Sequence, residues 1–214
     1  MKKLMIVSGL AVALAVPVIA AESVRFPPMP PEKYSAQQKE FAELMRQPPR
    51  NGNVVNAPFK VYFRSPEFGL RAIQMSDYLR WGTQFDPKQT ELIILLSARQ
   101  SDSGYIWHAH YALAMKAGLN PAIPAAIAAG KRPGGMSEDQ ALLYDLVTQT
   151  YRDHTVSDAT YEAAVKRFGE KGVTDAIGLA GYYGITAMAL AVAKATYPAG
   201  NEPKLEQIAQ VFPK

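Results

Sequence analysis

The chain contains no cysteine among its 214 residues. Thiol chemistry is therefore excluded, because a thiolate is the nucleophile in peroxidases and reductases that cycle through a disulfide. Disulfide bonds are excluded too, so the folded state must be stabilised by its hydrophobic core alone. Attachment of a lipid at the N-terminus is excluded for the same reason, since that modification needs a cysteine at the cleavage site.

Net charge is also small. The chain has 23 basic and 19 acidic residues, a formal net charge of +4, and no run of Lys or Arg. Removal of the N-terminus after Ala20 would take away Lys2 and Lys3 and no acid, leaving 21 basic and 19 acidic residues, or +2. A charge this small gives no reason to expect nucleic-acid binding.

The N-terminus has the layout of a secretory signal peptide. The two lysines precede the apolar run 4–20, and Val18 and Ala20 fit the small-x-small pattern before a cleavage site. An uncleaved membrane anchor is the alternative, but Pro17 interrupts the run, which is short for a span of about 20 residues. We therefore predict cleavage near Ala20 and a periplasmic or secreted protein, with no stable membrane insertion after cleavage.

Helix signals recur along the remaining chain, whereas no segment shows sustained period-two alternation with β-branched residues and hairpin turns. The sequence therefore predicts an all-α protein with a Pro-rich N-terminal arm over residues 21–34, one domain over 35–195 and a C-terminal tail over 196–214. The arm could be a tether or could lie across a neighbouring subunit. Helices are predicted at about 35–46, 65–82, 87–100, 105–117, 120–130, 138–151, 157–169 and 173–195.

The last predicted helix has the length of a membrane span, because residues 176–193 contain no charged side chain. The same run contains two tyrosines, a threonine and three glycines at every third position, Gly178, Gly181 and Gly184. Glycine at this spacing lets another helix pack closely, in a protein core or at a subunit interface. We therefore predict a buried helix and not a membrane span.

The segment 91–118, ELIILLSARQSDSGYIWHAHYALAMKAG, holds the strongest functional signal. A glutamate opens an apolar helix, a polar turn at 101–104 follows, and two of only three histidines, His108 and His110, lie on the next helix. Residues two apart point about 200° away from each other on a helix. The two histidines therefore cannot chelate one metal ion by themselves, and no further pattern completes a metal site.

This segment resembles the signature of the carboxymuconolactone decarboxylase and AhpD-like alkylhydroperoxidase superfamily. In that superfamily a glutamate precedes Cys-x-x-Cys-x-x-x-His, and the second helix closes with Ala-Gly-Leu. Aligning His110 with the family histidine places Glu91 on the family glutamate without a gap. Ser103 and Ile106 then occupy the positions of the two cysteines.

The resemblance covers about residues 45–195 and implies a fold and an assembly. The expected fold is an AhpD-like helical bundle built around a helix hairpin at about 87–118. The expected assembly is a homo-oligomer, a trimer or a hexamer. Glu91 and His110 would approach each other across the hairpin, although counting residues from the turn leaves an axial offset that a tilted crossing or a bridging water would have to close.

The resemblance also implies site residues. His110 would be the general acid and Glu91 its orienting partner. Tyr105 and Trp107 are similar to the pattern Tyr-Glu-Trp-x-x-His of thiol-free members, but Ile106 replaces its glutamate, which puts full catalytic competence in question. Tyr183 is a further candidate for substrate binding on the resemblance alone, as are Arg80 and Trp81.

Arg99 is the candidate for binding a substrate carboxylate. It lies eight residues after Glu91, about two turns along the predicted helix, and the planar guanidinium binds a carboxylate at two points. The alternative for Arg99 is a salt bridge to Asp102 or a solvated helix end.

Two functions from different classes follow. The first is a carboxymuconolactone decarboxylase-like lyase, a cofactor-independent acid–base enzyme acting on a small carboxylate- or lactone-containing compound. The second is a non-catalytic periplasmic binding or assembly protein that retains the fold, which Ile106 and the missing cysteines favour. A polar pocket at His110 and Glu91 would favour the enzyme, and a closed apolar one would favour the scaffold.

Overall fold

The computed structural model describes residues 25–198 and 200–206, and the predicted signal peptide lies outside the described residues. The described residues form helices and no strand, which confirms the all-α prediction. A 3-10 turn, Pro31–Lys33, precedes the first helix, and a π-helical turn, Tyr78–Gly82, directly follows the third. The helices are α1 (Ala36–Arg46), α2 (Phe59–Tyr62), α3 (Pro66–Asp77), α4 (Pro87–Gln100), α5 (Gly104–Lys116), α6 (Ala122–Ala128), α7 (Glu138–Asp153) and α8 (Asp158–Val192).

Three helices begin at the residues where the sequence predicts them, because a capping box marks each start. In each box the side-chain oxygen of the cap residue accepts a hydrogen bond from the backbone N–H of a glutamine three residues later. The side-chain oxygen of that glutamine accepts a hydrogen bond from the backbone N–H of the cap residue. These bonds pair backbone N–H groups that have no partner inside the helix. The boxes are Ser35 with Gln38, Asp86 with Gln89, and Ser137 with Gln140.

Helix α4 lies at the centre of the bundle. Every residue from Thr90 to Arg99 is buried, and the helix packs against α5, α6, α7 and α8. A helix that is apolar on all sides is stable only when neighbours cover each side, and the run ELIILLSA of α4 has that composition. Polar side chains within this helix are therefore held in fixed surroundings.

Helices α4 and α5 form the predicted hairpin. Asp102 turns the chain in the left-handed region with φ 47°, and α5 starts after Ser103. Gly118, with φ 81°, follows the last turn of α5 and reverses the chain, a conformation that glycine adopts without steric cost. This hairpin places His110 of α5 beside α4 and α8, whereas His108 of the same helix contacts the C-terminal tail.

Helix α8 contains a break at Gly169, where φ is 72° and ψ is 167°, so the two helices predicted on either side adjoin each other. By length and composition alone it could cross a membrane, the one such helix among the described residues. Of its most apolar 18-residue window, 56% is buried within the protein. A Cβ at Gly178 would be 3.2 Å from Leu79 and one at Gly184 would be 3.6 Å from the Tyr151 hydroxyl, whereas Gly181 faces open space.

The described parts of the arm and tail pack onto the bundle. Arg25 donates to the Val192 carbonyl at 2.9 Å, and the ring of Tyr34 packs edge-on against Phe63. The predicted extended arm therefore includes one turn of 3-10 helix, and it contacts its own chain. The tail runs along α5, where the Pro203 carbonyl accepts a hydrogen bond from Trp107 at 2.8 Å.

Candidate functional site

His110 of α5 and Glu91 of α4 are in direct contact. Nδ1 of His110 lies 2.7 Å from Oε2 of Glu91. Both residues are buried, with 8% and 6% of their surfaces exposed. The predicted contact across the hairpin is thereby confirmed, without a bridging water. Because a carboxylate only accepts hydrogen bonds, Nδ1 of the histidine carries the shared hydrogen.

Arg80 approaches the same carboxylate from the π-helical turn after α3. Its Nη2 lies 3.7 Å from Oε1 of Glu91, and its Nε is buried without a hydrogen-bond partner among the described residues. The guanidinium also stacks 4.5 Å from the centre of the Trp81 ring. π-Helical turns occur frequently at functional sites, because they turn one side chain out of helical register. Here the turn brings a cation to the Glu91–His110 pair.

The surroundings of His110 lower the pKa of its imidazole. Burial is the largest cause, because it disfavours the charged ring. The hydrogen bond and the negative charge of Glu91 partly oppose this shift, whereas the positive charge of Arg80 adds to it. The ring is therefore neutral at neutral pH in the free protein. Its second nitrogen, Nε2, makes no hydrogen bond with any described residue and can exchange a proton with a ligand.

A cavity of about 240 Å³ opens beside His110. Two of its lining residues are arginines, Arg50 and Arg80, and no acidic residue lines it. Glu91 lies behind His110 and not in the cavity wall. The lining comprises Arg50, Asn56, Ala57, Pro58, Phe59, Ser76, Arg80, Tyr105, Ile106, Ala109, His110, Tyr182, Tyr183, Thr186 and Leu190.

Arg50 is held in place by groups next to the cavity. Its Nη2 lies 2.5 Å from Oδ1 of Asp77 and donates to Ser76 at 3.1 Å. Its guanidinium lies 5.3 Å from the centre of the Trp81 ring, so this one indole contacts both arginines of the cavity. Arginine stacked on an aromatic ring and fixed by a carboxylate loses little further entropy on binding an anion.

Aromatic side chains complete the wall. The ring of Tyr183 packs edge-on against His110, with centres 4.9 Å apart, and burial raises the pKa of its hydroxyl well above the ordinary value. Tyr62 donates to the hydroxyl of Thr186 at 3.1 Å, since the Thr186 hydrogen is donated to the Tyr182 carbonyl. The raised pKa keeps the Tyr183 hydroxyl neutral at the cavity wall, whereas Tyr62 is not a lining residue and its hydroxyl hydrogen is used in the bond to Thr186.

Residues 66–141 match the model of the carboxymuconolactone decarboxylase family. Over these residues the chain is similar to that family. The match runs from α3 to the first turn of α7 and includes Arg80, Glu91 and His110. No match was found among curated proteins or among solved structures.

The structure brings only some of the predicted binding residues to the cavity at His110. Tyr105 and Tyr183 line the cavity, and the Tyr105 hydroxyl donates to the Ala57 carbonyl at 3.2 Å. Trp107 is buried behind the cavity wall, where its indole N–H binds the tail. Arg99 lies elsewhere, because its Nε donates to the Ile127 carbonyl and its side chain lines a second cavity.

Sequence reasoning missed Arg50 entirely. It lies in the loop between α1 and α2, 30 residues before Arg80, and no motif or periodicity marks it. Ile106 lines the cavity as an apolar residue. The carboxylates of Glu91 and Asp77 lie next to the cavity, where they contact the lining residues His110 and Arg50.

Nothing in the described part of the chain resembles a metal centre: no three or more His, Cys, Asp or Glu side chains come together there. His108 bonds Glu202 of the tail at 3.0 Å and is not among the residues that line the His110 cavity. The two histidines of α5 therefore belong to separate clusters, as their spacing predicts.

Proposed function

We propose that the protein is a cofactor-independent acid–base enzyme of the carboxymuconolactone decarboxylase type that acts on a small carboxylate- or lactone-containing compound. The observation that carries this proposal is the direct His110–Glu91 contact beside a cavity walled by Arg50 and Arg80. It combines a proton-transfer group with two cations that suit an anionic substrate.

In this proposal the two arginines bind a carboxylate of the substrate, and an unsaturated carbonyl group serves as the electron acceptor. The carbon–carbon bond to the departing carboxylate breaks, carbon dioxide leaves, and its bonding electrons enter the carbonyl system as an enolate. The protonated ring of His110 then delivers the Nε2 proton to carbon. Glu91 stabilises the imidazolium while it exists, through the bond to Nδ1.

In this proposal, His110 becomes protonated when the anionic substrate binds. Burial keeps the ring neutral in the free protein, and an anionic ligand beside the ring favours the imidazolium. Substrate binding is therefore coupled to uptake of one proton. This coupling lets a histidine of lowered pKa act as a strong acid only when a substrate is present.

The alternative, a non-catalytic periplasmic binding or assembly protein, has one observation in its favour. Ile106 makes part of the cavity wall apolar where related thiol-free domains carry an acid. Against it stands the free energy needed to bury a histidine and a glutamate beside a half-buried arginine, because removing charges from water is costly. An apolar core would avoid that cost, so the polar cluster favours the enzyme.

Arg80→Gln tests the anion-binding role. With carboxymuconolactone as the first substrate of a panel of unsaturated lactone acids, we expect KM to rise by about 10- to 100-fold, the effect of losing a charged hydrogen bond. Arg80→Lys should raise KM less than Arg80→Gln does, because lysine keeps the positive charge. Loss of the lactone's absorbance and release of carbon dioxide report turnover.

The fully esterified form of the same acid, with every carboxyl group blocked, is the control. Its binding should differ little between wild-type protein and Arg80→Gln, because the ester carries no carboxylate for the arginine. If Arg80→Gln lowered the affinity for the acid and for the ester equally, anion binding by Arg80 would be contradicted. Binding without turnover across the whole panel would favour the non-catalytic alternative.

We also propose that the protein is exported and assembles as a homo-oligomer, and that its partner is a small-molecule substrate and not nucleic acid. Export predicts that protein purified from its native host lacks about the first 20 residues. Intact mass spectrometry measures this directly. A soluble species that retains Met1 and resides in the cytoplasm would exclude export.

A further inference from the structure

Arg99 is a buried cation without an anionic partner among the described residues. Only 7% of its surface is exposed, on the side of α4 that faces α6 and α7. Its Nε donates to the Ile127 carbonyl at 3.1 Å, Nη1 is buried without a partner, and no described carboxylate lies within ion-pair distance. A buried charge is costly unless it is paired. The site therefore favours an anion that is not part of the described chain.

The one hydrogen bond that Arg99 makes does not explain its presence. The Ile127 carbonyl also accepts a hydrogen bond from the backbone of Gly130 at 3.0 Å, so the end of α6 is closed without the guanidinium. Gly130 itself has φ 67° and carries no side chain, and a Cβ there would lie 3.4 Å from Nη2 of Arg99. The glycine leaves the outer edge of the guanidinium uncovered.

A cavity of about 300 Å³ lies at this guanidinium, between α4, α6 and α7. Thr148 of α7 lines it and is also buried, and its hydroxyl has no partner among the described residues. Lys131 and Arg152 add positive charge to the lining, and no acidic residue is part of it. No residue lines both this cavity and the one at His110.

We propose that this cavity is a second binding site, for a small organic carboxylate. The Arg99 guanidinium would bind both carboxylate oxygens, which match its planar geometry, and the Thr148 hydroxyl would donate to one of them. Leu96 and Ile127 supply apolar wall for the rest of the molecule. A ligand with an apolar body fills such a cavity better than an inorganic anion does. This inference does not depend on the proposed function.

Binding of benzoate to the full protein tests the proposal. Isothermal titration and the thermal midpoint should show saturable binding in the millimolar range or tighter, with benzamide at least tenfold weaker because it lacks the charge. Arg80→Gln is the matched control, since it removes a half-buried arginine from the His110 cavity. Benzoate binding assigned to the Arg99 cavity should survive in that variant.

Arg99→Met should weaken benzoate at least tenfold and abolish the benzoate-induced rise in the thermal midpoint. The unliganded variant should be as stable as wild type, because an apolar chain of similar length replaces an unpaired buried charge. Thr148→Val is nearly isosteric and should weaken the binding of benzoate severalfold. This variant provides the test if Arg99→Met does not fold. Turnover at the His110 site should be unchanged in both variants.

Several outcomes would overturn the proposal. Equal affinity for benzoate and benzamide would show that charge is not recognised. Tighter binding of inorganic phosphate than of benzoate would exclude an organic carboxylate as the ligand. A folded Arg99→Met protein with a much lower thermal midpoint would mean that Arg99 is structural. Loss of benzoate binding in Arg80→Gln but not in Arg99→Met would show that benzoate binds in the His110 cavity. Absence of saturable benzoate binding would exclude the site.

Discussion

His110→Ala and Glu91→Gln are each expected to lower kcat/KM by about 100- to 10,000-fold, the range that a positioned acid–base group contributes. His110 carries the proton, and Glu91 fixes the ring through a 2.7 Å hydrogen bond to Nδ1. Because the two act as one unit, the double mutant should be little worse than either single mutant. Steady-state kinetics of the three variants on the same substrate measures this.

His108→Ala is the matched control for this prediction. His108 lies on the same helix and also bonds a glutamate, Glu202, at 3.0 Å, but it does not line the cavity. Turnover by His108→Ala should equal that of wild type, and circular dichroism should show that all variants are folded. A comparable loss in His108→Ala, or additive losses in the His110 and Glu91 double mutant, would contradict the proposed pair.

Activity is expected to fall by about tenfold for each pH unit above the pKa of His110 in the free enzyme. Burial places that pKa below the ordinary value of 6.5. The acid form is protonated, so kcat/KM should be level at pH values below this pKa and should decline as pH rises through it. The midpoint should therefore lie below 6.5, and turnover near neutral pH should be only a fraction of its maximum.

Two variants check the physical cause of this midpoint. Arg80 lowers the pKa of His110, so Arg80→Gln should move the midpoint to higher pH. Glu91 raises it, so Glu91→Gln should move the midpoint of any residual activity further down. An NMR titration of the His110 ring in the free protein gives the same pKa independently. A rate that increases with pH through this midpoint would make His110 a base and would exclude its role as the acid in decarboxylation.

Most of the secondary structure follows from local signals that the sequence displays. The cap residues Ser35, Asp86 and Ser137 predict where α1, α4 and α7 begin, and in the structure each belongs to a capping box, whose bonds lie within four residues. Gly118 and Gly169 predict where α5 and the first part of α8 end, since both positions need positive φ. The uncharged run of α4 predicts burial, although not which neighbour covers each side.

The sequence predicted which two residues form the Glu91–His110 contact, but not how they reach each other. Alignment with the family motif indicates these two residues, and both lie on helices that a short turn connects. Counting at 1.5 Å per residue from the turn leaves them offset along the hairpin. The crossing of α4 and α5 and the length of the two side chains close this offset, and neither can be obtained from spacing.

The arginines show what only the tertiary structure decided. Residues eight apart on a helix differ in direction by about 80°, and α4 is covered on every side, so Arg99 faces α6 and α7 while Glu91 faces the His110 cavity. The cations near Glu91 come instead from a π-helical turn, with Arg80, and from a loop, with Arg50. Helical periodicity describes neither segment.

By itself, the sequence determined the absence of thiol chemistry, the all-α fold, the starts of the capped helices α1, α4 and α7, and the identity of the histidine–glutamate pair, but it did not predict α2. Each of these depends on composition, on contacts within a few residues or on a continuous motif. Which arginines meet that pair, and which lies buried at a second cavity, depended on packing between segments far apart in the chain. Such contacts are set by how the helices cross, and that arrangement exists only in the folded protein.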